Sequence, residues 1–437
     1  MNETLRKLLF ATTTFAGLLS GVALAETSEQ FVPVLVFRTG AYAPNGVPWA
    51  NGFVDYLKLV NERDGGINGV KITYEECETA YATDRGVECY ERLKGKGPTG
   101  GTAFNPLSTG ITFALTEKVP VDKIPLITMG YGRSESADGS VFKWNFPMLG
   151  TYWSAADILV QHVAKKGSLK GKKIALVYHD SPYGKEPIPV LQEHAKRHGF
   201  ELLLLPVTHP GLEQKATWLQ VRQQKPDYVF LWGWGVMNST AIKEAIAVGY
   251  PRLQMYGVWW AGAEPDTMPA EMAAKGYNAL ALQHGADKTP VHKDMIKYLY
   301  DKGLGTGKKE DVGQVLYNRG MINAMLVVES VRTAQGKFGK KPMTGEQVRW
   351  GAEHLAIDAA RIKALGMEGM MQPLKISCND HEGVRKARIQ TWDGKEWSFT
   401  SDWYEADNKL LRPMVEAQAK KYAAEKKIEA RDCKKEM

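Results

Sequence analysis

The chain predicts an α/β protein made of two successive parallel-sheet sets with helices on both faces. Three observations carry that reading. Strand-length apolar runs alternate with amphipathic helical stretches from Val32 to Val258, the alternation that builds doubly wound sheets. The first strand, Val32 to Phe37, is continuously apolar, as a strand buried on both faces must be. A Gly/Pro-rich loop then joins it to a helix within the stretch Thr39 to Gly69, where an open α/β sheet binds small ligands.

Taken in order, the first helix starts at Pro48, because proline suits a first helical turn. Trp49, Phe53, Tyr56, Leu57 and Val60 share one face, and Gly65-Gly66 stops the helix. Val70 to Tyr74 alternates as a second strand. Thr83 to Leu93 and Ser108 to Lys118 read as helices, and Ile124 to Met129 as a strand. The second set runs helix Thr151–Lys165, strand Lys173–Tyr178, helix Tyr183–His198, strand Phe200–Val207 and helix Leu212–Gln224. Strand Tyr228–Trp234, helix Asn238–Val248 and strand Leu253–Val258 follow. His292 to Leu365 is mostly helical. Arg385 to Trp392 and Glu396 to Thr400 flank Asp393-Gly394 as a hairpin, and Pro413 to Arg431 reads as a charged helix.

The first 25 residues lie outside this pattern. Arg6 and Lys7 precede an apolar stretch, Leu8 to Leu24, and Ala23-Leu24-Ala25 forms an A-x-A cleavage signal before Glu26. The run is short for a membrane anchor, and no later segment reaches the ~18 apolar residues of a span. A soluble, exported protein is expected. Its length suits two domains. The net charge of +7 is spread along the chain with an excess in the last thirty residues, which reads as a solvated tail rather than a nucleic-acid surface.

Four cysteines, Cys77, Cys89, Cys378 and Cys433, permit three pairings in an exported chain. The favoured one is Cys77–Cys89, closing a short loop between a strand end and the next helix, with Cys378–Cys433 tying the tail to the body. No C-x-x-C pair points to metal.

The search for catalytic chemistry finds no G-x-S-x-G, H-E-x-x-H, Walker loop or G-x-G-x-x-G. His194 and His198 have the spacing of a metal pair but lack a third ligand, so a polar helix face is the better reading. His381-Glu382 precedes the hairpin and reads as a turn. Neither a metal nor a cofactor is expected. The strand ends are more informative, being aromatic or small and polar: Tyr42 and Asn45, Asn105 to Thr109, Gly130 to Gly132, Tyr183, Trp232 and Trp234, Trp259 and Trp260. Trp259 and Trp260 are adjacent, so only one should reach a pocket.

The export signal, the Gly40…Gly46…Asn61…Gly65-Gly66-Ile67-Asn68-Gly69 pattern and the strand followed by Tyr183-Gly184 resemble the leucine/isoleucine/valine-type (type I) periplasmic substrate-binding proteins of ABC transporters. The resemblance runs from about Phe31 to Thr400. It implies two doubly wound lobes joined by three crossovers, with ligand in the cleft between them. The crossovers fall near Pro147 to Thr151, Gln283 to Lys288 and Gln372 to Asn379. Lobe one is then 26–148 plus 286–373, lobe two 149–285 plus 374–400, and 401–437 a tail.

By resemblance, Asn45 takes the place of the family's first-loop aromatic, with Tyr42 close by. Ser108 and Thr109 remain of the seryl cluster that meets a ligand carboxylate. Tyr131-Gly132 replaces an Ala-Thr element, Tyr183 is kept, and Trp234 matches the fourth-loop aromatic. The acid that pairs with a substrate ammonium falls at Trp259, with Glu264 five residues on. A buried ammonium without a counter-charge costs on the order of several kcal/mol, so an aromatic carboxylate or an amide fits better than a plain α-amino acid. The resemblance implies a monomeric, non-enzymatic periplasmic receptor that feeds an inner-membrane permease. The alternative is a ligand-sensing module for a chemoreceptor or sensor kinase, and a secreted hydrolase lacks its catalytic set.

Overall fold

The computed structural model describes residues 28–283 and 289–435. The export segment therefore lies outside the described residues, as do residues 284–288 of the middle crossover. The chain forms two sheet systems. In the first, β1 (Glu29–Val36) pairs in parallel with β2 (Lys71–Glu78), and β3 (Leu126–Met129) pairs in parallel with β4 (Asn145–Met148). The extended residues 102–104 join these pairs, since Thr102 bonds Phe31 and Phe104 bridges Leu126.

The second system contains β5 (Lys173–His179), β6 (Glu201–Val207), β7 (Tyr228–Trp232), β8 (Met255–Gly257) and β9 (Asn278–Ala281). Two short strands, β10 (Ala356–Ile357) and β11 (Leu374–Lys375), pair with each other. The hairpin β12 (Lys386–Trp392) and β13 (Trp397–Phe399) joins the second sheet, whose order is β13-β12-β9-β8-β7-β5-β6. β14 (Tyr404–Glu405) adds antiparallel to β12. β5 to β9 are mutually parallel, and β12 runs antiparallel to β9.

The helical region before the hairpin packs on the first system. Helix Val315–Phe338 crosses helix Ala43–Asp64 closely because both carry glycine at the crossing. A Cβ at Gly52 would collide with the Tyr317 carbonyl, and one at Gly320 with the Trp49 carbonyl. Asp55, fully buried at the same interface, accepts hydrogen bonds from the Tyr300 and Tyr317 hydroxyls and from Thr306.

Several boundaries depart from the sequence reading. The first helix starts at Ala43, and Pro48 lies inside it. Pro44 fills the early position, and Pro48 costs the helix one backbone bond, to Pro44. The stretch Tyr183–His198 splits into Pro182–Lys185 and Ile188–His198, divided at Pro187. β2 runs on to Glu78, β7 stops at Trp232, and β4 and β9 were not foreseen. The tail is helical and charged on its exposed face, as expected, but it is not merely solvated. Its helix, Asn408–Lys426, is capped by Asp407 and buries Leu410, Leu411, Val415, Ala419 and Tyr422 against the body.

Both disulfides are the favoured ones, Cys77–Cys89 and Cys378–Cys433. His381 stacks on Phe146 at 4.1 Å and bonds Asn145 and Glu353, while Glu382 accepts from the Thr151 amide. The pair therefore pins the chain before the hairpin to the chain leaving β4.

Candidate functional site between the two sheets

The strand ends of both systems face one another. From the first come the segments after β1 (Phe37 to Tyr42), after β2 (Thr79 to Tyr81), after residues 102–104 (Asn105 to Thr109) and after β3 (Gly130 to Gly132). From the second come those after β5 (Asp180 to Tyr183), β7 (Gly233 to Gly235) and β8 (Val258 to Trp260). All are carboxyl ends, where an open sheet leaves backbone groups and side chains free to meet a ligand.

They enclose a narrow cavity of about 10 Å³ lined by Tyr81, Leu107, Ser108, Thr109, Tyr131, Tyr152, Tyr183, Trp234 and Trp260. That is about the room a single water needs and far below the ~300 Å³ at which ligand pockets usually begin, so the site is shut tight in this closed form. The two lobes are closed on it. The Val236 amide donates to the Ala41 carbonyl at 3.1 Å, and the Tyr42 hydroxyl meets His179 Nε2 at 2.8 Å. The indoles of Trp259 and Trp260 both donate to the Gly130 carbonyl at 2.7 Å.

Of the residues singled out from sequence, Ser108, Thr109, Tyr131, Tyr183 and Trp234 lie on the cavity wall. Tyr42, Asn45 and Trp259 do not. Tyr42 and Asn45 instead bond across the cleft, Asn45 donating to Asp266 at 3.0 Å. Trp259 lies flat beside Tyr152, at 6.5 Å and 16°, and its neighbour Trp260 is the tryptophan that reaches the wall. Trp260 meets Trp234 edge-on at 5.4 Å and Tyr131 at 5.8 Å.

Tyr81 and Tyr152 were missed, while Leu107 and Trp260 fall within the strand-end segments read from sequence, where Trp259 rather than Trp260 was assigned to the pocket. Tyr81 had a readable signal: with β2 extended to Glu78, it follows a strand end directly. Ala80 and Tyr81 both hold positive φ, 49° and 63°, and the Cys77–Cys89 bond straddles this turn. Tyr152 sits in the first turn of helix Tyr152–Ala164, behind the cap Thr151, with no pattern of its own to announce it.

Among the described residues, the wall carries no charged side chain. Its polar groups are partly spent. Tyr131 donates to Asn105 and accepts from the Leu107 amide, Tyr183 donates to the Gly233 carbonyl, and Ser108 caps helix Thr109–Leu115 by accepting from Ile111. The Trp234 indole N–H is buried and has no partner. Burial pushes the phenols of Tyr81, Tyr131, Tyr152 and Tyr183 upward, so they remain protonated donors.

Ionisable groups lie behind the wall. Asp266 accepts from Asn45, Asn238 and its own Ala263 amide, and burial pushes its carboxyl up to about 6. Glu264 accepts from the Val315 amide and is pushed up to about 7 by the same cause. Arg319 donates to the Trp259 carbonyl, with its guanidinium 4.5 Å from the Trp260 ring, and burial lowers it to about 9. Glu264 is thus turned away from the cavity.

His194 binds Asp157 at 2.8 Å and stacks on His198, and no group of three or more metal-ligating side chains occurs among the described residues. Among the same residues, no helix is long and apolar enough to cross a membrane.

Residues 29–396 match the family model described as "Periplasmic binding protein". A solved structure described as an ABC transporter permease from the Pseudomonas fluorescens group is 46% identical, covers 93% of this chain and all of its own, and superposes with a TM-score of 0.86. A branched-chain amino acid ABC transporter protein from Thermus thermophilus with bound valine is 21% identical, covering 87% of this chain and 98% of its own, at a TM-score of 0.74. A solute binding protein from R. palustris in complex with benzoate is 15% identical over 87% and 98%, at 0.65. The comparison with curated proteins gave no match. With its two lobes, mostly parallel sheets and a family match over residues 29–396, the chain belongs to the periplasmic binding proteins of ABC transporters, in their type I form.

Proposed function

We propose that the protein captures a small, flat organic molecule that accepts hydrogen bonds, an aromatic carboxylate or an amide, and delivers it to an inner-membrane ABC permease. The observation that carries this reading is the unpartnered Trp234 indole N–H on an aromatic wall without charge. A buried donor without an acceptor costs about 1–3 kcal/mol, which a ligand oxygen restores. The hydroxyls of Ser108, Thr109, Tyr81 and Tyr152 offer further donors, and the rings of Trp234, Trp260 and Tyr131 offer faces for a planar group.

A zwitterionic amino acid suits this wall less well. Asp266 and Glu264, the acids nearest the expected position, are already bonded within the protein. We assign ligand contact to the nine wall residues, with Ser108, Thr109, Tyr131, Tyr183 and Trp234 among them. Tyr42, Asn45 and Trp259 hold the lobes together on closure. In this reading the mature chain starts at Glu26 after cleavage, acts in the periplasm as a monomer, and divides into lobes at the three crossovers given by the resemblance.

Calorimetry with benzoate, benzamide and leucine tests the ligand class. Benzoate or benzamide should bind and leucine should not. Tight leucine binding with no affinity for either aromatic compound would overturn it.

A further inference from the structure

The chain beyond the hairpin passes from one lobe to the other. It begins stitched to the second: β14 pairs with β12, Tyr404 bonds His162 at 2.9 Å, and the Asp407 amide donates to Asp157 at 2.7 Å. The helix Asn408–Lys426 then runs about 28 Å, at ~1.5 Å per residue. Its far end is fastened to the first lobe. Tyr422 stacks on Phe142 at 4.7 Å, and Lys426 pairs with Glu117 at 2.5 Å. Beyond the helix, Arg431 bonds the carbonyl of Gly139 and the Glu353 carboxylate. Cys433 is joined to Cys378, which lies just ahead of the hairpin.

This segment also touches the cleft. The Arg133 guanidinium lies between Tyr422, at 4.6 Å, and Phe113, at 4.1 Å. Its neighbour Ser134 donates through both its amide and its hydroxyl to Glu186 on the other lobe. Tail residues Met414 and Lys421 share the lining of one lateral recess with Arg133, Trp153 and Glu186. Among the described residues, the recess on another edge, between Pro44, Pro48 and Pro265, has no tail residue.

We propose that the C-terminal helix is a fourth tie between the lobes, locked by Cys378–Cys433, that limits how far the cleft opens. Lobe rotation that separates Ser134 from Glu186 must also drag Arg133 from beneath Tyr422 or pull the tail off Asp157. The disulfide prevents the tail from answering by simply detaching, because it returns the chain covalently to the body. The tie acts on the unliganded protein and does not depend on which solute binds.

Hydrogen exchange on the full-length, ligand-free protein tests this. Two variants are compared with wild type: Cys378→Ser with Cys433→Ser, and Tyr422→Ala. Exchange at the cross-lobe amides of Val236 and Ser134 should speed up about tenfold or more in both, while β5 and helix Val315–Phe338 stay protected. Faster exchange confined to the tail helix, with Val236 and Ser134 at wild-type rates, overturns the proposal. A uniform rise through both sheets overturns it too, since that marks a tail that only stabilises. If the cysteine variant does not fold, Tyr422→Ala and wild type under mild reduction decide on the same two amides.

Discussion

The cavity wall and the layer directly behind it are built on opposite electrostatic terms. The wall is rings and hydroxyls, with an indole N–H left unpaired. The layer behind it holds Asp266, Arg319, Asn45 and Asn238, all buried, and the half-buried Glu264, with each carboxylate engaged by protein donors. Counting charges near the cleft would suggest a site for a charged ligand group. Following each hydrogen bond shows that those groups bond one lobe to the other, while the cavity wall itself is neutral. The difference teaches that proximity of an acid to a cleft is not recognition; an acid recognises only what its free lone pairs can reach.

The comparison breaks most sharply at Asp266. Asp266→Ala leaves the Asn45, Asn238 and Ala263 donors without their acceptor, and should cost about 3 kcal/mol of stability in a denaturant melt. If Asp266 instead contacts ligand, the loss will appear in affinity with stability unchanged. A smaller effect is expected on the wall. Trp234→Phe keeps most of the ring and removes the unpaired N–H, so calorimetry with benzoate should show affinity weakened by about 1–2 kcal/mol at unchanged stability. Unchanged affinity would place that N–H outside ligand contact.

The smallest effect is in pH. Burial raises Asp266 to about 6 and Glu264 to about 7, so the folded, closed form holds protons that the solvated carboxyls have lost. Their contribution is fully present below about pH 4 and declines as pH rises to about 7. His179 is lowered to about 4 by burial and acts oppositely, losing stability as pH falls from about 6.5 toward 4. Stability measured against pH for wild type and Asp266→Asn isolates the first slope, which should flatten in the variant between about pH 4 and pH 6.

Much of this was legible beforehand, for identifiable reasons. Helix Thr83–Leu93 was read to the residue, because its apolar face and charged ends are local. Ser108 was found because the resemblance places it in the hydroxyl cluster that meets a ligand carboxylate. Trp234 was found because it follows a strand run and precedes Gly235. Trp259 and Trp260 show where such reading stops. Adjacent side chains point apart, but which one faces the cavity depends on how the short turn after β8 rolls, and that roll is set by Gly130 and Arg319, far away in the chain. Tyr152 was hidden for a similar reason: nothing local distinguishes a helix-start tyrosine that lines a cavity from one that packs in a core.

By itself, then, the amino-acid order determined the alternation of strands and helices, the aromatic and uncharged character of the strand ends, and the two disulfide partners. The first two and the Cys77–Cys89 pair follow from apolar periodicity, turn chemistry and short loop closure, each of which acts over neighbouring residues, and Cys378–Cys433, 55 residues apart, is the pair that this choice leaves. Only the tertiary structure decided which tryptophan reaches the cavity, where the buried acids spend their hydrogen bonds, and that the tail crosses from one lobe to the other. Each of these depends on groups tens to hundreds of residues apart meeting in one place, as Arg319 meets Trp259 and Tyr422 meets Phe142. Contacts of that kind arise when elements pack, and no local pattern encodes them.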